Sequence, residues 1–315
     1  MSKAPIICFV YNRPDHTRRT LEALAACEGA DDSTLYIFSD GARDDSAGAD
    51  TKKVDEVRKL IRSIRWKGEL IIRESATNKG LQASITEGIT QVIGKHGKVI
   101  VTEDDILCGK HFLSYCNAAL EKYERDEDVM HINGYMFPHR QASPDFFLSR
   151  YAMVWGWATW QRAWNRFSAD ASLHLQRLKD NHSEKEFDMY GAAGTLEMLI
   201  QQADGRLRTW DILWYASIFN SNGYCLTPSR SLTRNIGLDG SGAHFTSRIS
   251  RKQFRAIDRK PHFGKFPPVT SLQEEQHLPV IEALREWNRP RLKDRITGKL
   301  SILWNQLLQG GKKSS

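Results

Sequence analysis

The sequence predicts an α/β protein with a mostly parallel sheet flanked by helices. Through residues 5–107, short apolar runs of strand length alternate with longer segments whose apolar residues recur at helical spacing. Polar side chains follow each short run at the point where it ends. This β-α-β-α-β-α-β order favours right-handed crossovers that place helices on the faces of one sheet. We therefore expect a Rossmann-like sheet with ligands at the carboxyl ends of its strands.

The elements follow from the same patterns. The run at residues 5–11 is continuously apolar, as expected of a strand buried on both faces. The other expected strands are 35–38, 69–73, 99–102, 129–134 and 223–226, and the expected helices are 17–26, 51–65, 83–93 and 111–125. Residues 168–205 are polar and helical in pattern, which suits a lid or a partner surface.

Composition restricts the class of protein and its compartment. The chain has 315 residues and a formal charge of +7. Residues 285–315 contain eight Lys or Arg and two acidic residues, so this segment alone carries a charge of +6. The nearly neutral remainder argues against a nucleic-acid groove. Five cysteines without a CxxC pair indicate neither a zinc site nor a disulfide framework. We see no signal peptide and no apolar run long enough for a membrane span, so we expect a cytoplasmic protein.

Three adjacent carboxylates, Glu103, Asp104 and Asp105, end the fourth expected strand. Packing does not favour them, because like charges repel and lose hydration next to a core. A cation would offset this cost, and carboxylate oxygens suit Mg²⁺ or Mn²⁺. The alternative is a solvated acidic turn.

Polar residues also end the other strands, namely Asn12 with Arg13, Asp40, and Asn78 before Gly80. Neither a GxGxxG fingerprint nor a phosphate-binding GxxxxGK[ST] loop follows any strand.

Later segments add further candidates. Asp211 lies among aromatic residues at 210–215, where apolar surroundings suit a general base near neutral pH, and it could equally lie near the first turn of a helix. His244 ends the glycine-rich segment 235–244 and is either structural or a metal or phosphate contact. The segment Trp155-Gly156-Trp157 and Trp210 could form core or an aromatic wall for a sugar.

Taken in order, these motifs resemble the nucleotide-sugar domain of GT-A glycosyltransferases. The first strand ends in a short Arg turn, the second in Ser-Asp and the fourth in Glu-Asp-Asp. The later Gly-Trp, Trp-Asp-x-x-Trp, Tyr-Cys-Leu-x-Pro and Ser-Arg-Ser segments follow the order of the N-acetylglucosaminyltransferase I and O-mannose N-acetylglucosaminyltransferase family. The phrase Tyr-Asn-Arg-Pro is more similar to bacterial transferases that build surface polysaccharides.

The resemblance implies a glycosyltransferase that moves a hexosyl or N-acetylhexosaminyl group and inverts the anomeric centre. The implied donor is a nucleotide-sugar, with a UDP-sugar such as UDP-GlcNAc expected before others, and the implied acceptor is a glycan or a lipid-linked saccharide. It implies a GT-A domain at 1–265, with a nucleotide-sugar half at 1–107 and a smaller acceptor-side half at 108–265, and a basic tail at 266–315. The implied roles are Asp211 as the base, Asp105 as the ligand of Mn²⁺ or Mg²⁺, and donor contacts from Asn12, Arg13, Asp40, Asn78, Gly80, Glu103 and Asp104.

Two other functions share parts of the pattern. A sugar-phosphate nucleotidyltransferase has a similar sheet and a carboxylate-bound Mg²⁺, but its expected Gly- and Arg/Lys-rich first loop is missing. A non-catalytic glycan- or membrane-binding module explains the tryptophans but leaves Asp211 and the acidic triplet unexplained.

The basic tail has an amphipathic pattern. From residue 289 onward, one helical face carries Leu292, Ile296, Leu300, Leu303, Trp304 and Leu307. Such a helix can lie on the anionic inner face of the cell membrane. It can also pack on the body or pair two copies in a homodimer.

Overall fold

The computed structural model describes residues 3–44, 48–139, 144–239, 266–269 and 278–288. It has ten strands in these ranges. They are β1 (Ile6–Val10), β2 (Leu35–Ser39), β3 (Leu70–Glu74), β4 (Lys98–Glu103), β5 (Ile106–Cys108), β6 (Val129–Asn133), β7 (Phe146–Ser149), β8 (Trp157–Trp160), β9 (Tyr224–Pro228) and β10 (Thr233–Asn235). The six predicted strands are all present, whereas the short strands β5, β7, β8 and β10 were not predicted.

Ten α-helices lie in the same ranges. They are α1 (Pro14–Ala25), α2 (Ala49–Ser63), α3 (Leu81–His96), α4 (Phe112–Lys122), α5 (Gln161–Trp164), α6 (Ala171–Asp180), α7 (Glu184–Phe187), α8 (Thr195–Ala203), α9 (Asp211–Asn220) and α10 (Leu278–Asn288). The polar segment 168–205 is helical, as predicted.

Eight strands form one sheet in the order β3-β2-β1-β4-β8-β6-β9-β7, and β5 pairs with β10 beside it. The four strands from β3 to β4 are mutually parallel, and β6 is parallel to β9. β8 runs antiparallel to both β4 and β6, and β7 runs antiparallel to β9. The predicted α/β class, a mostly parallel sheet with flanking helices, is confirmed.

The first strand shows why its sequence is continuously apolar. All five residues of β1 are buried, because Ile7 and Phe9 face one apolar core while Ile6, Cys8 and Val10 face the other. The core that contains Phe9 extends through both halves of the chain, from α3 to α9 and α10. The predicted nucleotide and acceptor halves therefore share one sheet and one core.

The C-terminal part of the described chain belongs to the body. In α10, Val280 and Ala283 are fully buried in the same core as Phe9. Phe266 packs edge-on against Phe146 at 4.7 Å between ring centroids. A separate tail that begins at residue 266 does not fit the described residues, because one face of α10 is buried in the core and the half-buried Phe266 and Val269 pack against the other core. The predicted basic amphipathic face from residue 289 onward lies outside the described residues. None of the helices in the described ranges is long and apolar enough to cross a membrane.

Candidate functional site

The acidic triplet lies at the carboxyl end of β4, beside the end of β1. Glu103 is the last residue of β4 and is in register with Phe9 of β1. Asp104 is 2% exposed, whereas Glu103 and Asp105 are half-buried. The alternative of a solvated acidic turn is wrong for Asp104, because its carboxylate is inside the protein.

A guanidinium offsets part of this negative charge. Arg13, which directly precedes α1, pairs through Nη2 with Asp104 and through Nη1 with Asp105 at 3.0 Å. Burial opposes the charge of Arg13, but the two carboxylates raise its pKa. The observed partners of the Arg13 side chain are thus the acidic residues, and its contact with a nucleotide stays a prediction.

Glu103 keeps its proton more readily than an exposed glutamate does. Burial raises the pKa of Glu103 well above its usual value, and the carboxylates of Asp105 and Asp104 raise it further. The charge of Asp211 acts in the same direction, which places Asp211 within electrostatic reach of the triplet. A protonated Glu103 would present a hydrogen-bond donor to a ligand.

The segment after β10 lies over the Arg13–Asp105 pair. The Ile236 amide donates to the Asp105 carbonyl at 2.8 Å, and a Cβ atom on Gly237 would stand only 2.2 Å from Oδ2 of Asp105. His16 of α1 approaches Asp239 at 3.2 Å between Nε2 and Oδ2. Glycine at position 237 therefore allows this backbone to approach the carboxylate closely.

Asn12 contacts a carboxylate that the sequence analysis missed. Asn12 Nδ2 and the Tyr11 hydroxyl both donate to Asp50, in the first turn of α2. The amide of Arg43 also donates to Asp50 Oδ2, at 2.7 Å. The only available signal was an aspartate near the predicted start of α2, which is common in helices.

Asp40, Asn78 and Gly80 lie together, and they hold two loops to each other. Asp40 accepts hydrogen bonds from the amides of Gly41 and Lys79, both at 2.9 Å, and of Gly80 at 3.0 Å. Asn78 Nδ2 donates to the Gly41 carbonyl at 2.7 Å. The observed partners of Asp40 and Asn78 are thus backbone groups of these loops, and a contact of Asp40 with a nucleobase stays a prediction.

Asp211 is the first residue of α9, which agrees with the expectation of a helix N-terminus. Its Oδ1 atom accepts hydrogen bonds from the Thr209 hydroxyl and from the Ile212 amide, the latter at 2.8 Å. Within the described ranges, no residue donates to its Oδ2 atom. Asp211 is half-buried, so this oxygen can accept a hydrogen bond from a bound molecule.

The proposed aromatic wall is largely interior. Trp157 and Trp210 are 0% and 1% exposed and stack on each other at 5.5 Å between ring centroids. Gly156 is also buried, with a positive φ of 79° and the Thr233 side chain against its Cα. The prediction that Gly156, Trp157 and Trp210 face a sugar is wrong, because their surfaces are covered by protein. Trp155 remains half-buried, beside Tyr135 at 4.6 Å between ring centroids.

The residues present fit a metal ion that is shared with a ligand. The described residues contain no group of three or more His, Cys, Asp or Glu side chains that could hold a metal by themselves. Mg²⁺ is commonly bound by one or two carboxylates together with phosphate oxygens of a substrate. Asp105, whose side chain is 15% exposed, can supply one such ligand. The other predicted ligand, His244, lies outside the described residues.

Comparisons with known proteins give distant structural likenesses. No protein-family model and no curated protein sequence matches the chain. Residues 1–349 of S. aureus TarS in complex with UDP are similar at 18% identity and a TM-score of 0.31, over 45% of this chain and 38% of that one. A mannosyltransferase from Pyrobaculum calidifontis, PcManGT in complex with GDP-Man and Mn²⁺, is similar at 10% identity and a TM-score of 0.37, over 70% of this chain and 69% of that one. The chain thus spans less than half of the TarS structure, and likeness at these scores assigns it to no family.

Proposed function

We propose that this chain is a metal-dependent inverting glycosyltransferase that transfers a sugar from a nucleotide-sugar to a hydroxyl group. The observation that carries the proposal is the position of Asp211. Its Oδ2 atom is free of partners in the described ranges, at the first residue of α9, and its charge raises the pKa of Glu103 at the carboxyl edge of β4. The proposal needs a base on α9 and a metal-binding edge at the end of β4.

The chemistry needs a base for the acceptor hydroxyl and a metal ligand near the diphosphate, and the described residues can supply both. Oδ2 of Asp211 takes the proton of the acceptor hydroxyl, whose oxygen forms a bond to the anomeric carbon. The bond from that carbon to the nucleoside diphosphate breaks, and its electron pair leaves with the diphosphate. One displacement of this kind inverts the anomeric centre.

Asp105 would hold Mn²⁺ or Mg²⁺ at the diphosphate. The bound ion would neutralise the charge that develops on the leaving diphosphate. Arg13 is adjacent and can contribute a second positive charge when a diphosphate approaches Asp105. Burial raises the pKa of Glu103, and its protonated form can donate to a hydroxyl of the ribose or the donor sugar.

We further infer a GT-A arrangement in which residues 1–107 bind the donor. UDP-sugars are the donors to test first, and UDP-GlcNAc is among them. In this proposal the nucleotide contacts come from Asn12, Asp40, Asn78 and Gly80, which follow the carboxyl ends of β1, β2 and β3. The acceptor is a glycan or a lipid-linked saccharide of a bacterial surface polysaccharide, and the enzyme works in the cytoplasm. Half-buried Trp155 is the residue of the predicted aromatic wall that can still contact a saccharide.

A donor screen tests the proposal. Release of nucleotide is measured across UDP-, GDP-, CMP- and dTDP-sugars with a mixed pool of saccharide acceptors, in Mn²⁺ and in EDTA. We expect one donor class to release nucleoside diphosphate, or CMP for the CMP-sugars, only when the metal is present. Formation of pyrophosphate from a sugar phosphate and a nucleoside triphosphate would instead identify a nucleotidyltransferase. Glycan binding without turnover of any donor would contradict catalysis.

Attachment to an anionic membrane surface through residues 289–315 belongs to the same proposal. In co-sedimentation with vesicles of increasing anionic lipid content, the full chain should pellet with the vesicles. A chain that stops after Asn288 should stay in the supernatant. This end point keeps α10, which the body needs for its core. Equal amounts of both chains in the supernatant at low salt would contradict membrane binding.

A further inference from the structure

Thr209 contacts the proposed base, Asp211, but does not itself take part in the proposed reaction. It directly precedes the buried Trp210 and is itself only 6% exposed. Its hydroxyl donates to Oδ1 of Asp211, two residues further along the chain. Because the Ile212 amide donates to the same oxygen, Oδ1 is held from two sides while Oδ2 is held from neither.

The backbone of Thr209 is fixed in turn by a glutamine pair. The Thr209 amide donates to Oε1 of Gln202, in α8, at 2.9 Å. Nε2 of Gln202 reaches Oε1 of Gln82 at 3.4 Å, in the first turn of α3. This chain of polar contacts connects Asp211 to the helix that begins directly after Gly80, on the donor side of the site.

We propose that Thr209 is a positioning residue for Asp211. This inference rests on the proposed function. A carboxylate with one oxygen anchored cannot rotate freely about its Cβ–Cγ bond, so its second oxygen keeps a constant direction. Thr209 thereby aims Oδ2 at the acceptor hydroxyl.

The substitution that tests this is Thr209→Val, which keeps the shape of threonine and removes its hydroxyl. We expect kcat to fall about 10- to 100-fold, because a misdirected catalytic group loses reactive geometry. The affinity for UDP with Mn²⁺, measured by titration calorimetry, should stay within about twofold of wild type, since the hydroxyl of Thr209 is engaged by Asp211. Thr209→Ser restores the hydroxyl and should recover most of the lost turnover.

A double variant separates positioning from general damage. In an Asp211→Asn background, Thr209→Val should change the residual turnover little, because the carboxylate that it orients is gone. Unchanged turnover in Thr209→Val alone would overturn the proposal. An equal loss in both backgrounds, or a parallel loss of UDP affinity, would also overturn it and indicate a structural role.

A spectroscopic measurement keeps the inference testable apart from the proposed activity. The carboxyl carbon resonance of Asp211, observed by ¹³C NMR at one fixed pH, should move in Thr209→Val and return toward its wild-type position in Thr209→Ser, since only valine removes the donor to Oδ1. An unchanged resonance in Thr209→Val would overturn the positioning role. A displaced resonance in a chain that processes no nucleotide-sugar would retain the hydrogen bond and reject the transferase.

Discussion

His131 predicts a specific loss of stability in acid. It is fully buried in β6, where its Nδ1 atom accepts a hydrogen bond from the Trp214 indole at 3.1 Å. Its Nε2 atom can then donate to the Met153 carbonyl at 3.2 Å. Both partners suit a neutral imidazole, and a proton on Nδ1 would face the indole N–H of Trp214.

The size of the effect follows from the pKa. Burial lowers the pKa of His131 from 6.5 to about 4, despite its hydrogen bond to Met153. At 1.36 kcal/mol per pKa unit, this corresponds to about 3 kcal/mol of stability. The unfolded chain binds the proton more tightly than the folded one. The contribution is therefore complete above pH 6.5, decreases as the pH falls through the interval to about 4, and is absent below it.

The assay is urea unfolding followed by circular dichroism between pH 7.5 and pH 4.5, with His131→Gln as the comparison. Glutamine can accept and donate hydrogen bonds without titrating, while every other group remains the same in both proteins. We expect the advantage of wild type over the variant to shrink by about 2–3 kcal/mol across this range. Parallel stability curves, or a His131 ring resonance that titrates near pH 6.5, would refute the reasoning.

Three further substitutions test the site. Asp211→Asn should keep UDP affinity and lower kcat on the order of 10²–10⁴-fold, and near-normal turnover would remove Asp211 from the chemistry. Asp105→Ala should abolish the Mn²⁺-dependent part of UDP binding in calorimetry while the chain stays folded, and unchanged transfer at limiting Mn²⁺ would exclude the metal role. Gly237→Ala should weaken Mn²⁺-dependent UDP binding at least tenfold, because its Cβ atom would stand 2.2 Å from the Asp105 carboxylate. The matched control is Gly94→Ala, on an exposed and uncrowded position of α3, where we expect binding as in wild type and about 0.5–1 kcal/mol of added stability.

The parallel half of the sheet could be predicted because the apolar residues of its strands show which strand faces are covered by protein. The run that forms β1 is apolar at every position because both faces of the strand are covered. The short strands β8 and β10 carry no such pattern, since four or three residues do not establish a period. Trp157 was therefore open to two interpretations, and only the packing of Trp210 against it shows that it is core.

The residues of the candidate site were predicted better than their contacts. The positions of Glu103 to Asp105 at the end of β4 follow from the order of elements. The pairing of Arg13 with Asp104 joins residues that are 91 positions apart, and Asp50 meets Tyr11 across 39 positions. Local sequence patterns contain no information about which side chain fills a given space at such separations.

The reversed direction of β8 has a consequence for how this protein could be altered. Its first residue, Trp157, pairs with Val101, so the loop before β8 emerges at the edge where β4 delivers its carboxylates. A loop from the second half of the chain therefore lies at the same edge of the sheet as the carboxylates from the first half. Ala152 and Met153 of this loop are buried in the core, whereas Tyr151, Val154 and Trp155 are half-buried. A library confined to these three half-buried positions would vary the loop while the strands from β1 to β4 stay untouched. It would also test by laboratory evolution whether this loop takes part in the proposed choice of acceptor.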